Sequence, residues 1–191
     1  MSPVAEIHLH GKRALVLGAE TEIGRAIASA LAAAGADVAA VASTTDAEAA
    51  FAVQRLARRL AAPGGRALAQ AIDATNEAAL RVMTRQVSKE LGGLDAFIFD
   101  LDAPEGQVRL DEGKRRAIDH AIHFGGKELD RWGEGALVVV MPGKWSGGTF
   151  VQYGSGPAPK FKFHVVGKSY KSAQQVADET LQKIVGDSDN G

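Results

Sequence analysis

The stretch LVLGAETEIGRAIA, residues 15–28, holds the residue types of this chain best placed for chemistry. An apolar run reaches Gly18, a second glycine follows at position 24, and a helix-like segment begins at Ile23. A strand that turns into a helix in this way aims backbone N–H groups and the positive end of a helix dipole at one point, which suits a phosphate. Yet Glu20 and Glu22 stand inside the turn, where backbone would have to approach the anion. Carboxylates in that position would suit a cation such as Mg²⁺ or Ca²⁺ instead, although their spacing is not that of a recognised metal loop. A second stretch combines Lys160, Lys162, Lys168 and Lys171 with Phe161, Phe163 and Tyr170. Those types serve an anion or nucleic-acid surface, and equally a solvated face beside a subunit contact. Trp132 and Trp145 read as core or interface anchors, as indoles commonly are.

These groups must be carried by an alternating chain of strands and helices. Strands are expected at 13–18, 37–42, 66–72, 95–101 and 136–141, each a short apolar run suited to burial on both faces. Helices are expected between them. The first covers 23–34, with Ile23, Ile27 and Leu31 at four-residue spacing and Gly35 as its stop. The second is capped by Asp46 and closed by Pro63-Gly64-Gly65. The third starts at Thr75 or Asn76 and turns Leu80, Met83, Val87 and Leu91 inward. The fourth covers 113–132, weakened by Gly125-Gly126 at about 1 kcal/mol per glycine. Residues 142–163 read as a long loop, 169–185 as the last helix and 186–191 as a polar tail. The alternation implies one α/β domain over 1–191 with a parallel, doubly wound sheet and right-handed crossovers.

Composition bounds the function. The 191 residues are 46% hydrophobic and 24% charged, with a net charge of −1. No global field attracts nucleic acid or an anionic membrane. There are no cysteines, which removes thiolate chemistry and disulfides and is compatible with the cytoplasm. No apolar stretch approaches the ~18 residues of a membrane span, and MSPVAEIHLHGKR lacks the apolar core of a signal peptide.

From about Leu9 to Val185 the chain resembles the short-chain dehydrogenase/reductase family. LHGKRALVLGA resembles the family's first strand, GADVAAVA the second, AIDATNEAAL the segment where Asp73 matches an adenine-facing aspartate, and GEGALVVVMP the strand that carries the catalytic serine. The resemblance implies a Rossmann-like sheet of order 3-2-1-4-5 with NAD(P) lying across the switch between strands one and four. It also implies cofactor contacts at Gly18, at the position of Glu22, and at Ile23, Gly24 and Asp73. The family's closing strands and the segment covering its substrate have no counterpart after the last helix.

Much of the functional pattern departs from the family. Its middle glycine is replaced by Glu22, and Ala42-Ser43 stand where strand two should offer a ribose partner. Neither tyrosine is followed four residues later by lysine: Pro157 and Gln174 stand there. The nearest relic is HVVGK, with His164 in the tyrosine place and Lys168 in the lysine place, and Ser146 is the hydroxyl closest to the expected serine. In the implied topology Glu20, Glu22, Asp100 and Asp102 crowd the mouth of the cleft. A carboxylate about 5 Å from a phosphate charge repels it by roughly 3 kcal/mol at an effective dielectric near 20, more than half a dipole charge offsets, unless Arg13, Arg25 or Lys144 neutralises the acids. The reading is a non-catalytic member of the family that binds no cofactor and stabilises a catalytic homologue, or its own copies. Such pairs are known in the family, one of them an alcohol dehydrogenase acting on CoA thioesters. The alternatives are an active NAD(P)-dependent oxidoreductase with His164 as a relocated acid/base, and a cation-binding acidic pocket.

Overall fold

A computed structural model describes residues 6–101, 111–143 and 159–186. The elements follow the alternation: β1 (Arg13–Leu17), α1 (Glu22–Ala33), β2 (Asp37–Ala42), α2 (Ala47–Ala61), β3 (Ala67–Ala71), α3 (Glu77–Leu91), β4 (Ala96–Asp100), α4 (Glu112–Trp132), β5 (Ala136–Met141), β6 (Lys162–Gly167) and α5 (Ala173–Val185). All strand pairs are parallel, in the order β3-β2-β1-β4-β5-β6. The 3-2-1-4-5 order inferred from sequence is present, with one strand added.

That added strand corrects two expectations. Residues 162 and 163 belong to β6 and not to a loop, and at least one strand follows β5. β6 pairs along all of β5, from Ala136 opposite Lys162 to Met141 opposite Gly167. KFHVVG has the β-branched and aromatic content of a strand, a signal passed over where HVVGK was matched to the family's tyrosine and lysine places. The last helix begins four residues later than expected. Ser169-Tyr170 form a turn, and Ser172 caps α5 in a reciprocal box with Gln175.

The sheet buries both faces. One core gathers Val16, Val38, Ile98 and Val138 from the strands under Ile27 of α1, Leu56 of α2 and Val176 of α5. The other gathers Leu15, Phe97, Phe99 and Leu137 under Leu80 and Met83 of α3 and Ile118 and Leu129 of α4. Gly125 lies inside α4 because a Cβ there would come within 2.9 Å of the Phe97 ring. Burying one large apolar side chain contributes about 2–3 kcal/mol, which outweighs the ~1 kcal/mol a glycine costs the helix. Among the described residues no helix is long and apolar enough to cross a membrane.

Candidate functional site

The switch-point cleft lies where β1 and β4, neighbours in the sheet, send their chains in opposite directions at their C-terminal edges. β1 runs into Gly18, whose N–H donates to Val41 O at 2.9 Å, and Ala19 N–H donates to the same oxygen at 3.1 Å. Gly18 has φ +92, and a Cβ there would lie 2.4 Å from Asp100 O. At Gly24 a Cβ would lie 2.0 Å from Gly18 O. The crossing of turn, helix and strand therefore requires both glycines, and no ligand is needed to account for them. Ile23 is partly buried and packs against the first core.

Thr21 caps α1, its Oγ1 accepting from Gly24 N–H at 2.8 Å. That hydroxyl is 3.0 Å from Gly18 O and 2.5 Å from Asp100 Oδ2. Its single proton goes to the carboxylate, the stronger acceptor. Asp100 has no exposed surface. Its other oxygen, Oδ1, accepts from Lys168 Nζ at 2.8 Å, and the same ammonium donates to Leu101 O at 2.6 Å. Lys168 itself is 12% exposed, directly after β6, with its backbone N–H on Met141 O. A buried ion pair thus ties β6 across β5 to the end of β4, and through Thr21 to the first turn of α1.

Among the described residues the acidic mouth inferred from sequence does not form as a cluster. Asp100 is neutralised by Lys168, whose side chain is largely buried. Glu20 turns toward the end of β2, where Oε1 accepts from Ser43 N–H at 3.1 Å and from the Ser43 hydroxyl at 2.5 Å. Glu22 is the first residue of α1 and is exposed, where its charge favours the helix N-terminus. Among the described residues no three side chains of ligand type converge to hold a metal. Asp102, Lys144 and Ser146 lie outside the described residues.

The remaining positions are scattered. Asp73 is exposed and closes its own turn, accepting from Thr75 N–H at 2.9 Å and Thr75 Oγ1–H at 2.6 Å. His164 lies within β6 opposite Val138, on the same face as Val166, which joins the core beneath α1 and α5. His164 and Lys168 were matched to the tyrosine and lysine places of the family by spacing alone. On the extended chain of β6 and its end that four-residue spacing is about 13 Å, not the reach of one helical turn. Thr21, which completes the Asp100 network, was not singled out from sequence, and Ser43, which bonds Glu20, was noted there only as an unsuitable ribose partner. The usable signal was Asp100 itself, a carboxylate ending an apolar strand, which must find a cation or donors if buried.

Residues 12–103 match the model of the short chain dehydrogenase family. A short chain dehydrogenase of the fungus Pseudocercospora fijiensis is 36% identical over 90 residues, 47% of this chain and 28% of the relative. Among solved structures, a short chain dehydrogenase from Burkholderia cenocepacia in complex with NADP superimposes with a TM-score of 0.56 and 33% identity, over 71% of this chain and 57% of that one. A short-chain type dehydrogenase/reductase from Mycobacterium marinum gives a TM-score of 0.60 and 28% identity, over 74% and 60%. The chain thus spans little more than half the length of these structures and under a third of the fungal protein.

Proposed function

We propose that this chain, whose sequence and fold support membership of the short-chain dehydrogenase/reductase family, is a non-catalytic subunit that stabilises a catalytic homologue in a hetero-oligomer. The family consists of NAD(P)-dependent oxidoreductases, and the solved relative from Burkholderia holds NADP. The observation that carries the reading is the Thr21–Asp100–Lys168 network at the switch point. The groups a dinucleotide would address are already used by the protein. Gly24 N–H, a donor at the helix N-terminus, bonds Thr21. Ser43, at the end of β2, bonds Glu20. The ammonium nearest the cleft bonds Asp100 and Leu101.

These residues do not fit NAD(P), because binding would have to break charge-assisted bonds made within a buried site, each worth about 1.5–3 kcal/mol. The acid/base pair is also missing in this reading, since neither tyrosine has a lysine four residues on. General acid–base catalysis commonly supplies about 10²–10⁴-fold in rate. The chain's contribution to an assembly is then structural, through the outer surface of a domain whose own site is locked.

The test is co-expression with a full-length catalytic member of the family from the same genome, followed by light scattering and a reductase assay on each species. The expected result is a stable mixed complex that is active, and no turnover from this chain alone. Turnover with NADH or NADPH by the lone chain, or no association with any homologue, would sink the proposal.

A further inference from the structure

Between α3 and α4, on the sheet face away from the first core, a groove of about 480 Å³ is open to solvent. It lies apart from the switch-point cleft and from every residue used above. Its floor is apolar: Val82 is 58% exposed and Phe124 is partly buried. Its rims are cationic. Arg81, Arg85 and Lys89 recur at four-residue spacing along α3, and Lys127 and Arg131 at the same spacing along α4, so each set forms one ridge facing the groove. Five cations line it against a single carboxylate, in a chain whose net charge is −1.

That carboxylate, Glu128, is built into the wall. Its side chain is 7% exposed. It accepts from Arg85 Nη1 at 3.2 Å and Ser88 Oγ at 3.0 Å, with Arg131 Nε 3.6 Å away. Ser88 Oγ in turn accepts from Trp132 Nε1 at 2.8 Å. The effect is to hold two guanidinium groups at the groove, each still about half exposed at 54% and 43%. One carboxylate cannot neutralise both. Arg81, Lys89 and Lys127 are exposed and take part in no ion pair among the described residues. Glu90, further along α3, accepts from Gln86.

We infer that this groove binds an amphiphilic anion: an alkyl or acyl chain of medium length carrying a carboxylate or phosphate head. Three features point there together. The volume falls within the ~300–1,000 Å³ of small-molecule sites. The floor offers an exposed valine and an aromatic edge where a soluble surface would place polar groups. The rims supply several donors to one anionic head, and guanidinium suits both carboxylate and phosphate. The ligand chain would lie along Val82 and Phe124, with its head between the α3 and α4 ridges.

The experiment is calorimetry on the full chain, with decanoate, decyl phosphate, inorganic phosphate and decyl maltoside each below any micelle concentration. Methyl and aromatic NMR shifts of Val82 and Phe124 are followed in the unaltered protein. Saturable one-to-one binding of decanoate or decyl phosphate is expected, with shifts at both residues; comparing the two tells which head the site takes. Inorganic phosphate and decyl maltoside should bind about tenfold more weakly or worse, because each offers half of the recognition. The double variant Arg81→Glu/Lys127→Glu alters two exposed side chains and should weaken the alkyl anions about tenfold or more. Failure of both alkyl anions to saturate, shifts confined elsewhere, or equal binding of the maltoside would overturn the inference. So would a folded double variant that binds unchanged.

Discussion

Asp100 and Lys168 form the most consequential pair in the molecule, because a carboxylate without exposed surface cannot be left alone. Removing one partner of a buried pair typically costs about 3–5 kcal/mol, whereas replacing both with apolar residues of similar size is often near neutral. Lys168→Met should therefore lower stability by about 3 kcal/mol in urea denaturation, and Asp100→Leu combined with Lys168→Met should recover most of it. Equal losses in the single and the double variant would show that the two charges are not coupled. Thr21→Val removes the cap of α1 and a donor to Asp100 at once and should cost about 2 kcal/mol. For cofactor binding, the two glutamates of the turn differ. Glu22 is exposed at the start of α1, so Glu22→Gly should leave calorimetric binding of NADH and NADPH weak, beyond millimolar. Micromolar affinity after that single change would mean that the Asp100–Lys168 and Glu20–Ser43 networks do not close the cleft.

At the scale of elements, the strand-to-helix turn and the α4–β4 contact are set by glycine. Gly24→Ala places a Cβ 2.0 Å from Gly18 O, a backbone atom with little room to move. A loss of about 2–3 kcal/mol or more is expected, the upper range for overpacking. Gly125→Ala meets the Phe97 ring at 2.9 Å. There the helix gains ~1 kcal/mol in propensity, and the ring must shift. The net loss should be smaller, about 1 kcal/mol, and Phe97→Leu should lessen it. Thermal melts of the two alanine variants should rank them in that order; the reverse ranking would refute the steric account. β6 belongs to this scale as well. It was legible in the valines and aromatics of KFHVVG, but a four-residue spacing reads alike as one helical turn or as four strand positions until the neighbouring strand is known.

For the whole molecule, α4 and α5 carry many apolar residues, and a subunit that assembles through them would have to leave part of these faces outside the fold. The fold itself absorbs most: Ile118, Ile122, Leu129, Val176, Ala177 and Leu181 are all buried within the chain. Ala177→Arg therefore tests the core and should unfold the lone chain, an outcome visible by circular dichroism, instead of merely dissociating an assembly. Large apolar side chains left outside include Trp132, at 46% exposure, and Tyr170, at 97%. Tyr170 also holds φ 61, left-handed backbone that a non-glycine residue adopts at some cost. In a mixed complex of the kind proposed, Tyr170→Asp should weaken association with the homologue by about tenfold, as loss of an interface aromatic commonly does, while the melting temperature of the lone chain stays within a few degrees. Association that is indifferent to Tyr170→Asp would place the contact elsewhere on the surface.

The amino-acid order alone carried the architecture, because strand and helix periodicities and their glycine stops are local properties, and alternating units leave few topologies open. Hence the parallel sheet and the strand-turn-helix at Gly18 were readable from the residues, while the strand order through β5 was what the family resemblance implied. The fate of the charges was not. Glu20, Glu22 and Asp100 look alike in sequence, yet one bonds Ser43, one faces water and one is buried against Lys168, 68 residues away. A side chain's partner depends on which distant strand ends beside it and on which rotamer the packing leaves, and both are fixed only when the sheet closes. For the same reason the cationic groove between α3 and α4 is invisible in the sequence: its two ridges are far apart along the chain and become one site only when the helices lie side by side.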